Sequence, residues 1–500
     1  MTTSDLSTDP APRDPHTASS AAVAPPDRAA IPPFPDAASA PELAFTGLAA
    51  QARLLTEREV SSRELVELSL ARIEESQPRL NAFRVVCAEA ALEEADRADA
   101  RLRGGDDGAT SPLLGVPVAI KDDVDLAGHS TPFGCGGTVA ECRTDAELVR
   151  RLRRAGAIIV GKTQAPEVGQ WHFTESPTFG ATRNPWHADH APGGSSGGAA
   201  AAVAAGLVAG AIGSDGAGSI RIPAAWCGLV GLKPQRGRIS TWPDAEAFHG
   251  LTVLGPLARS AADAALLLDA VAGNVPADLH HVAAPSEPFA EAAAREPGRL
   301  RIAISLKVPF GIHDRLCEEH RAATFAMAER LEALGHEVVE EDLDYGLVAP
   351  ALVPRGMAGV RDWVRDHDID ASALEPRTRV HARFGGLLSG PPLRAARAAE
   401  PSLRRRLGRT FERHDLVLTP VTATPPPRIG QYDGRGYWAT GGSASESCPF
   451  AFPWNVTGWP AISVPAGLTE KGLPIGAQFL ANEGQEALLL ALARQLEAGG

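Results

Sequence analysis

The stretch from Gly193 to Ser240, GGSSGGAAAAVAAGLVAGAIGSDGAGSIRIPAAWCGLVGLKPQRGRIS, constrains this chain more than any other. It opens on a glycine/serine turn, passes through a run of small apolar residues and closes on a second glycine/serine turn. Glycines permit positive φ and close backbone approach, so both turns are able to aim N–H groups and hydroxyls into one cleft. Ser195 sits in the first turn and Ser219 in the second.

What those serines do depends on what surrounds them. Gly193 to Gly197 satisfies the G-x-S-x-G pattern, but a nucleophile elbow needs a strand just before its serine. The preceding NPWHADHAP reads as loop, so that reading fails. A phosphate loop fails as well, because neither turn ends in Gly-Lys-Ser/Thr before a helix. A serine nucleophile needs a base, commonly histidine. His129, His172, His187, His190 and His249 have no motif around them. Lysine does the same work when it is neutral and desolvated. Lys121 ends the segment LLGVPVAIKDDV, in which Val116, Val118 and Ile120 alternate as a buried strand, and it leads into a glycine-containing loop at 128–137. It is the best candidate base. Asp122 and Asp123 make that strand tip polar without deciding its role.

The rest of the chain has the helix–strand rhythm of an α/β protein. Ser61 and Glu64 have capping-box spacing ahead of Leu65, Leu68 and Ile73, and Thr144 and Glu147 repeat it ahead of Leu148, Val149 and Leu152. Helices are predicted over 88–102, 199–205, 319–334 and 486–496. Strands are predicted over 158–160, 207–212, 300–304, 337–339, 416–418, 461–464 and 475–479. Residues 345–410 are helix-like and Arg-rich, and are expected to cap or flank the core. Residues 1–41 are rich in Pro, Ala, Ser and Asp and bury too little apolar surface to offset their ordering entropy, so a disordered tail is expected there.

Bulk properties narrow the setting. Of 500 residues, 44% are hydrophobic and 22% charged, ordinary for a globular chain. A net charge of −13 argues against nucleic acid or an anionic membrane as partner. The six cysteines show neither zinc-site spacing nor a disulfide framework, which fits a reducing cytoplasm. No secretory signal is visible at the N-terminus, and the most apolar run, 199–212, is too short to span a bilayer.

Taken together, the motifs carry a resemblance. GVPVAIKDDVDLAG holds the lysine, GGSSGG one serine and GSDGAGSIRIPAAWCGLVGLKP the other, with the serines twenty-four residues apart. With GKTQAPEVG, TRNPW, GPLARS and NVTGWPAISVPAG…GLPIGAQFLA, the chain resembles the amidase signature family over about residues 43–498. The resemblance implies an α/β fold with a large mixed β-sheet core flanked by α-helices on both faces. It implies one amidase domain over 42–500, with its catalytic core at about 110–245. Ser219 would attack an amide carbonyl, Ser195, held by a cis Gly194–Ser195 peptide, would relay the proton between Ser219 and Lys121, and Lys121 would be the base. N–H groups of Gly216, Ala217 and Gly218 through Ser219 would bind the oxyanion, and Asp215, Arg221 and Ser196 would support the serine turns. The substrate would be a small-molecule amide; no metal or cofactor is implied, and a homodimer is.

One departure stands out. Many relatives carry Gly-Gly where this chain has Ala217-Gly218, and alanine disfavours positive φ. Two alternatives accompany the stand-alone amidase: the glutaminase subunit of a tRNA-dependent amidotransferase, and a non-catalytic binding protein that keeps the fold.

Overall fold

The computed structural model describes residues 41–499, apart from 107 and 314. The expected tail therefore lies outside the described residues, except that Pro41 opens a short helix, Pro41–Ala44.

Thirteen strands occur among the described residues. In chain order they are β1 (Phe83–Val86), β2 (Pro117–Lys121), β3 (Ile158–Thr163), β4 (Glu175–Ser176), β5 (Gly180–Ala181) and β6 (Gly210–Asp215). There follow β7 (Val230–Lys233), β8 (Val253–Ala258), β9 (Arg301–Ile304), β10 (Glu337–Glu340), β11 (Leu416–Pro420), β12 (Ala461–Leu468) and β13 (Pro474–Leu480). β4 and β5 form a small hairpin. The other eleven form one sheet in the order β1-β3-β2-β6-β8-β7-β12-β13-β11-β9-β10. Pairing is parallel through β3-β2-β6 and β11-β9-β10 and antiparallel elsewhere, so the sheet is mixed, as expected. β2, β3 and β6 are buried along their whole length, their polar ends Lys121, Lys162, Thr163, Ser214 and Asp215 included.

Helix Ser62–Leu80 has the predicted capping box: the Ser61 hydroxyl accepts the Glu64 N–H, and the Glu64 carboxylate accepts the Ser61 N–H. The second predicted box does not form. Helix Glu147–Arg154 starts at Glu147 itself, capped by Ala146 without a side-chain bond. The carbonyl of Trp242 accepts the Glu147 N–H instead, and the Glu147 carboxylate pairs with Arg151 at 2.9 Å. A tertiary contact has replaced the local cap.

The alanine-rich helix, Gly197–Ala204, is buried on every side. Such a helix is apolar all round because it faces protein all round. It also needs no bulk: a Cβ on Gly198 would stand 2.6 Å from the carbonyl oxygen of Ala82 and of Gln164. The following strand, expected over 207–212, runs from Gly210 to Asp215. Leu207 instead closes the helix, its N–H donating to Ala202, while its carbonyl accepts the Ser69 hydroxyl. This shift matters, because it makes Ser214 and Asp215 the end of a central strand. β1, β7 and β8 have no counterpart in the sequence reading; VGLK and VLGPLA are short and interrupted by glycine or proline.

Residues 345–410 also need correction. They fold into helices Val348–Asp366, Pro376–Leu388 and Pro391–Gly408, and the first two contribute directly to the central cavity rather than merely flanking the core.

Gly198→Ala should lower unfolding free energy in a urea titration by about 1–3 kcal/mol, the usual cost of overpacking. Gly386→Ala, in a helix with open space around the added methyl, should raise it by about 0.5–1 kcal/mol.

Candidate active site

Because β2 and β6 are parallel neighbours, with Ile120 opposite Ile212, Lys121 and Ser214 emerge at the same sheet edge. Ligand sites in open α/β sheets lie beyond such carboxyl ends. Lys121 is fully buried, and its Nζ lies 2.7 Å from both Ser195 Oγ and Ser214 Oγ. The Asp123 carboxylate is 3.4 Å away and accepts the Ser214 hydroxyl proton. Burial pushes the Lys121 ammonium pKa down; the charges of Asp123, Asp215 and Asp122 oppose that shift without cancelling it. With its own proton donated to Asp123, Ser214 Oγ accepts a Lys121 N–H. The lone pair of a neutral amine is then left for the Ser195 hydroxyl.

The Ser195 turn is built by close backbone approach. The Gly194–Ser195 peptide is cis, and Gly193 takes φ 96°. A Cβ on Gly194 would come within 2.6 Å of the Phe173 nitrogen. Ser196 ties this turn to its neighbours: its N–H donates to the Ser219 carbonyl at 3.1 Å, and its hydroxyl donates to the Ser214 carbonyl at 3.0 Å.

The Ser219 turn is organised around one carboxylate. Asp215, fully buried, accepts N–H bonds from Gly218 at 2.7 Å and Ile220 at 3.2 Å, from both ends of the Arg221 guanidinium at 2.9 and 3.0 Å, and from Asn455 at 2.8 Å. Arg221 also donates to the Ala451 carbonyl, Gln478 and Asn455. Burial alone would raise the Asp215 pKa, but the Arg221 guanidinium outweighs it and holds the carboxyl well below the usual range.

This arrangement changes the expected oxyanion set. The Gly218 N–H is committed to Asp215 and is not available to a ligand. Gly218 is also the residue in the left-handed region, at φ 118°, whereas Ala217 is outside it. Alanine at 217 therefore costs no backbone strain, and its methyl is exposed to the cavity. The N–H groups of Gly216, Ala217 and Ser219 have no hydrogen-bond partner among the described residues.

Ser195, Ser214 and Ser219 border one cavity of about 490 Å³. Its walls are largely apolar, with Leu352, Met357 and Val360 from helix Val348–Asp366 joined by Phe133, Ile222 and Phe452. Tyr437 and Trp438, from helix Tyr437–Ser447, also border it. No Asp, Glu, Lys or Arg lines it among the described residues. Trp171 and His172 border the cavity, whereas Phe173, Trp226 and Trp454 do not line it and are buried in the core. Sequence reasoning misses the roles of Ser214, Asp123 and His381. Ser214 and Asp123 adjoin flagged residues, but His381 comes from the weakest part of the motif pattern and has no local signal.

A buried lysine in contact with one serine, a second serine in an acid-anchored turn and a largely apolar cavity bordered by both serines thus come together at one sheet edge. The chain belongs to the amidase signature family: the family model described as Amidase matches residues 64–490. A Mycobacterium tuberculosis (strain ATCC 25618 / H37Rv) protein named "Putative amidase AmiA2" is 52% identical over 446 residues, covering 89% of this chain and 91% of its own length. "Putative amidase AmiB2" of the same strain is 48% identical over 462 residues, covering 91% and 96%. Among solved structures, 6-aminohexanoate cyclic dimer hydrolase complexed with substrate superposes with a TM-score of 0.83 at 32% identity, covering 91% of this chain and 97% of that one. Among the described residues, no helix is long and apolar enough to cross a membrane.

Removing one partner of a fully buried, multiply bonded ion pair leaves the other charge uncompensated. Asp215→Asn should therefore lower stability by about 3–5 kcal/mol in a denaturant titration.

Proposed function

We propose that this chain hydrolyses primary or simple secondary amides of uncharged, mainly apolar carboxylic acids through a Ser219 acyl-enzyme. The observation that carries the reading is the 2.7 Å contact between the buried Lys121 amine and the Ser195 hydroxyl, with Ser219 bordering the same cavity.

In this reading Ser219 Oγ attacks the carbonyl carbon of the amide while its proton passes to Ser195, and the Ser195 proton passes to the neutral amine of Lys121. The tetrahedral oxyanion is met by N–H groups of Gly216, Ala217 and Ser219, which carry no other bond among the described residues. Each such donor contributes about 3 kcal/mol in other hydrolases. Collapse breaks the C–N bond, and the proton returns through Ser195 to the leaving nitrogen, releasing ammonia or an amine. Water then takes the place of the leaving group, adds to the acyl ester and restores Ser219, giving the carboxylic acid.

The wall chemistry supports the substrate class. Glutamine brings an ammonium and a carboxylate, and a charged group moved into this cavity would meet no counter-ion on the walls. That weighs against the glutaminase-subunit alternative.

Ser219→Ala should lower kcat by at least about 10³-fold without a shift in unfolding midpoint, and it should abolish labelling by a fluorophosphonate probe. Full activity in that variant overturns the acyl-enzyme assignment. An ammonia-release panel should show turnover of apolar amides such as benzamide and hexanamide, and indifference to glutamine.

The base acts only when neutral, so kcat/KM should rise with pH through the Lys121 pKa and reach its plateau well below about 10.4, the value of a free lysine. Lys121→Ala should cost about 10²–10⁴-fold and remove that acid limb from the profile.

A further inference from the structure

We infer that His381 is a specificity-determining residue: it offers a bare imidazole nitrogen to the substrate, so the cavity selects amides whose acyl group carries a neutral N–H or O–H donor over hydrocarbon isosteres. This rests on the amide-hydrolase reading of the same cavity.

The direction of one buried hydrogen-bond chain supports it. The Glu375 carboxylate is buried, ion-paired with Arg377 at 2.8 Å, and accepts the Trp171 indole N–H at 3.0 Å. An ionised carboxylate only accepts. The Thr378 hydroxyl proton goes to a carboxylate, Glu375 at 3.4 Å or the neighbouring Glu167, and its oxygen accepts an N–H of the Gln170 amide. That turns the Gln170 carbonyl toward His381, whose Nδ1 lies 2.6 Å from it. Nδ1 must then carry the proton. A neutral imidazole has one N–H, so Nε2 keeps its lone pair, and it has no partner among the described residues.

Ring position and wall chemistry say what would meet that lone pair. His381 borders the cavity, and its ring lies 4.8 Å from that of Tyr437, which also borders it. When ammonia is the leaving group, everything else the cavity holds is acyl group. Because no charged side chain lines the walls, the donor has to be neutral: an amine of arylamine type, an amide N–H or a hydroxyl. Burial pushes the imidazole pKa down to about 3, so the ring stays an acceptor throughout the neutral range.

The test compares the 2-, 3- and 4-aminobenzamides with the three methylbenzamides of the same shape. Binding is read by calorimetry on Ser219→Ala protein, and kcat/KM by ammonia release on the active enzyme. At least one amino isomer should bind about 10- to 100-fold more tightly than its methyl partner, the range for leaving or satisfying one buried polar atom. His381→Phe should bring that ratio to about unity, and His381→Gln, which keeps an acceptor, should restore part of it. Gln170→Leu should also erode the ratio, because the proton is then free to sit on Nε2. The inference is overturned if no amino isomer is preferred, or if the preference survives in His381→Phe. If the binding preference is found but wild-type protein hydrolyses none of the six amides, the catalytic reading fails and the assignment of His381 stands. If amides are hydrolysed without a donor preference, the reverse holds.

Discussion

A carboxylate with no access to water sits at the centre of this structure. Asp215 ends β6, and its two oxygens are satisfied by the Gly218 and Ile220 N–H groups, the Arg221 guanidinium and Asn455. A buried charge is tolerated only when fully paired and hydrogen-bonded, so each of these groups is required in place. Satisfying Asp215 folds the backbone from 216 to 221 into one turn, and Arg221 pins that turn to Ala451, Asn455 and Gln478, far away in the chain. The nucleophile candidate is thus carried on a loop whose shape is enforced from both sides. Gly218 is the position where this closure needs a left-handed residue; Ala217, one step earlier, is free of that demand.

The same logic in reverse governs Lys121. Its amine is buried with two hydroxyls as direct partners, and the nearest carboxylate, Asp123, is engaged by Ser214. Ion pairing is too weak to offset desolvation, and the amine is pushed toward neutrality. One buried ionisable group is kept charged and fixes geometry; the other is pushed toward its neutral form, as the proposed proton transfer requires. The difference lies in how many charge-matched partners each has. Around both, the helical segment 348–388 and helix Tyr437–Ser447 close an uncharged cavity, so the region with the least recognisable motifs supplies much of what a substrate would touch.

Local signals are reliable where local physics decides. The capping box at Ser61 forms because both of its partners lie within one turn. The one suggested by Thr144 does not, because the Trp242 carbonyl, almost a hundred residues away, takes the N–H that a cap would satisfy. The alternation ending at Lys121 is legible as a strand, and its burial on both faces explains the apolar run before the charge. β7 and β8 are not legible, since four to six residues broken by glycine or proline become strands only through their neighbours in the sheet.

By itself the sequence determined the fold class and the family, and it put forward Lys121, Ser195 and Ser219 as candidates, because glycine turns and strand-end residues carry their chemistry in short, contiguous patterns. Which N–H groups of the Ser219 turn remain unbonded, which proton partner Lys121 has besides Ser195, and what lines the cavity were decided only by tertiary structure. Those are questions of which atoms meet across hundreds of residues. Gly218 loses its N–H to Asp215, Ser214 reaches Lys121 across two parallel strands, and His381 reaches Gln170 from a separate helix. A hydrogen bond has one geometry and one set of partners, and no spacing rule within a single segment specifies a partner that distant.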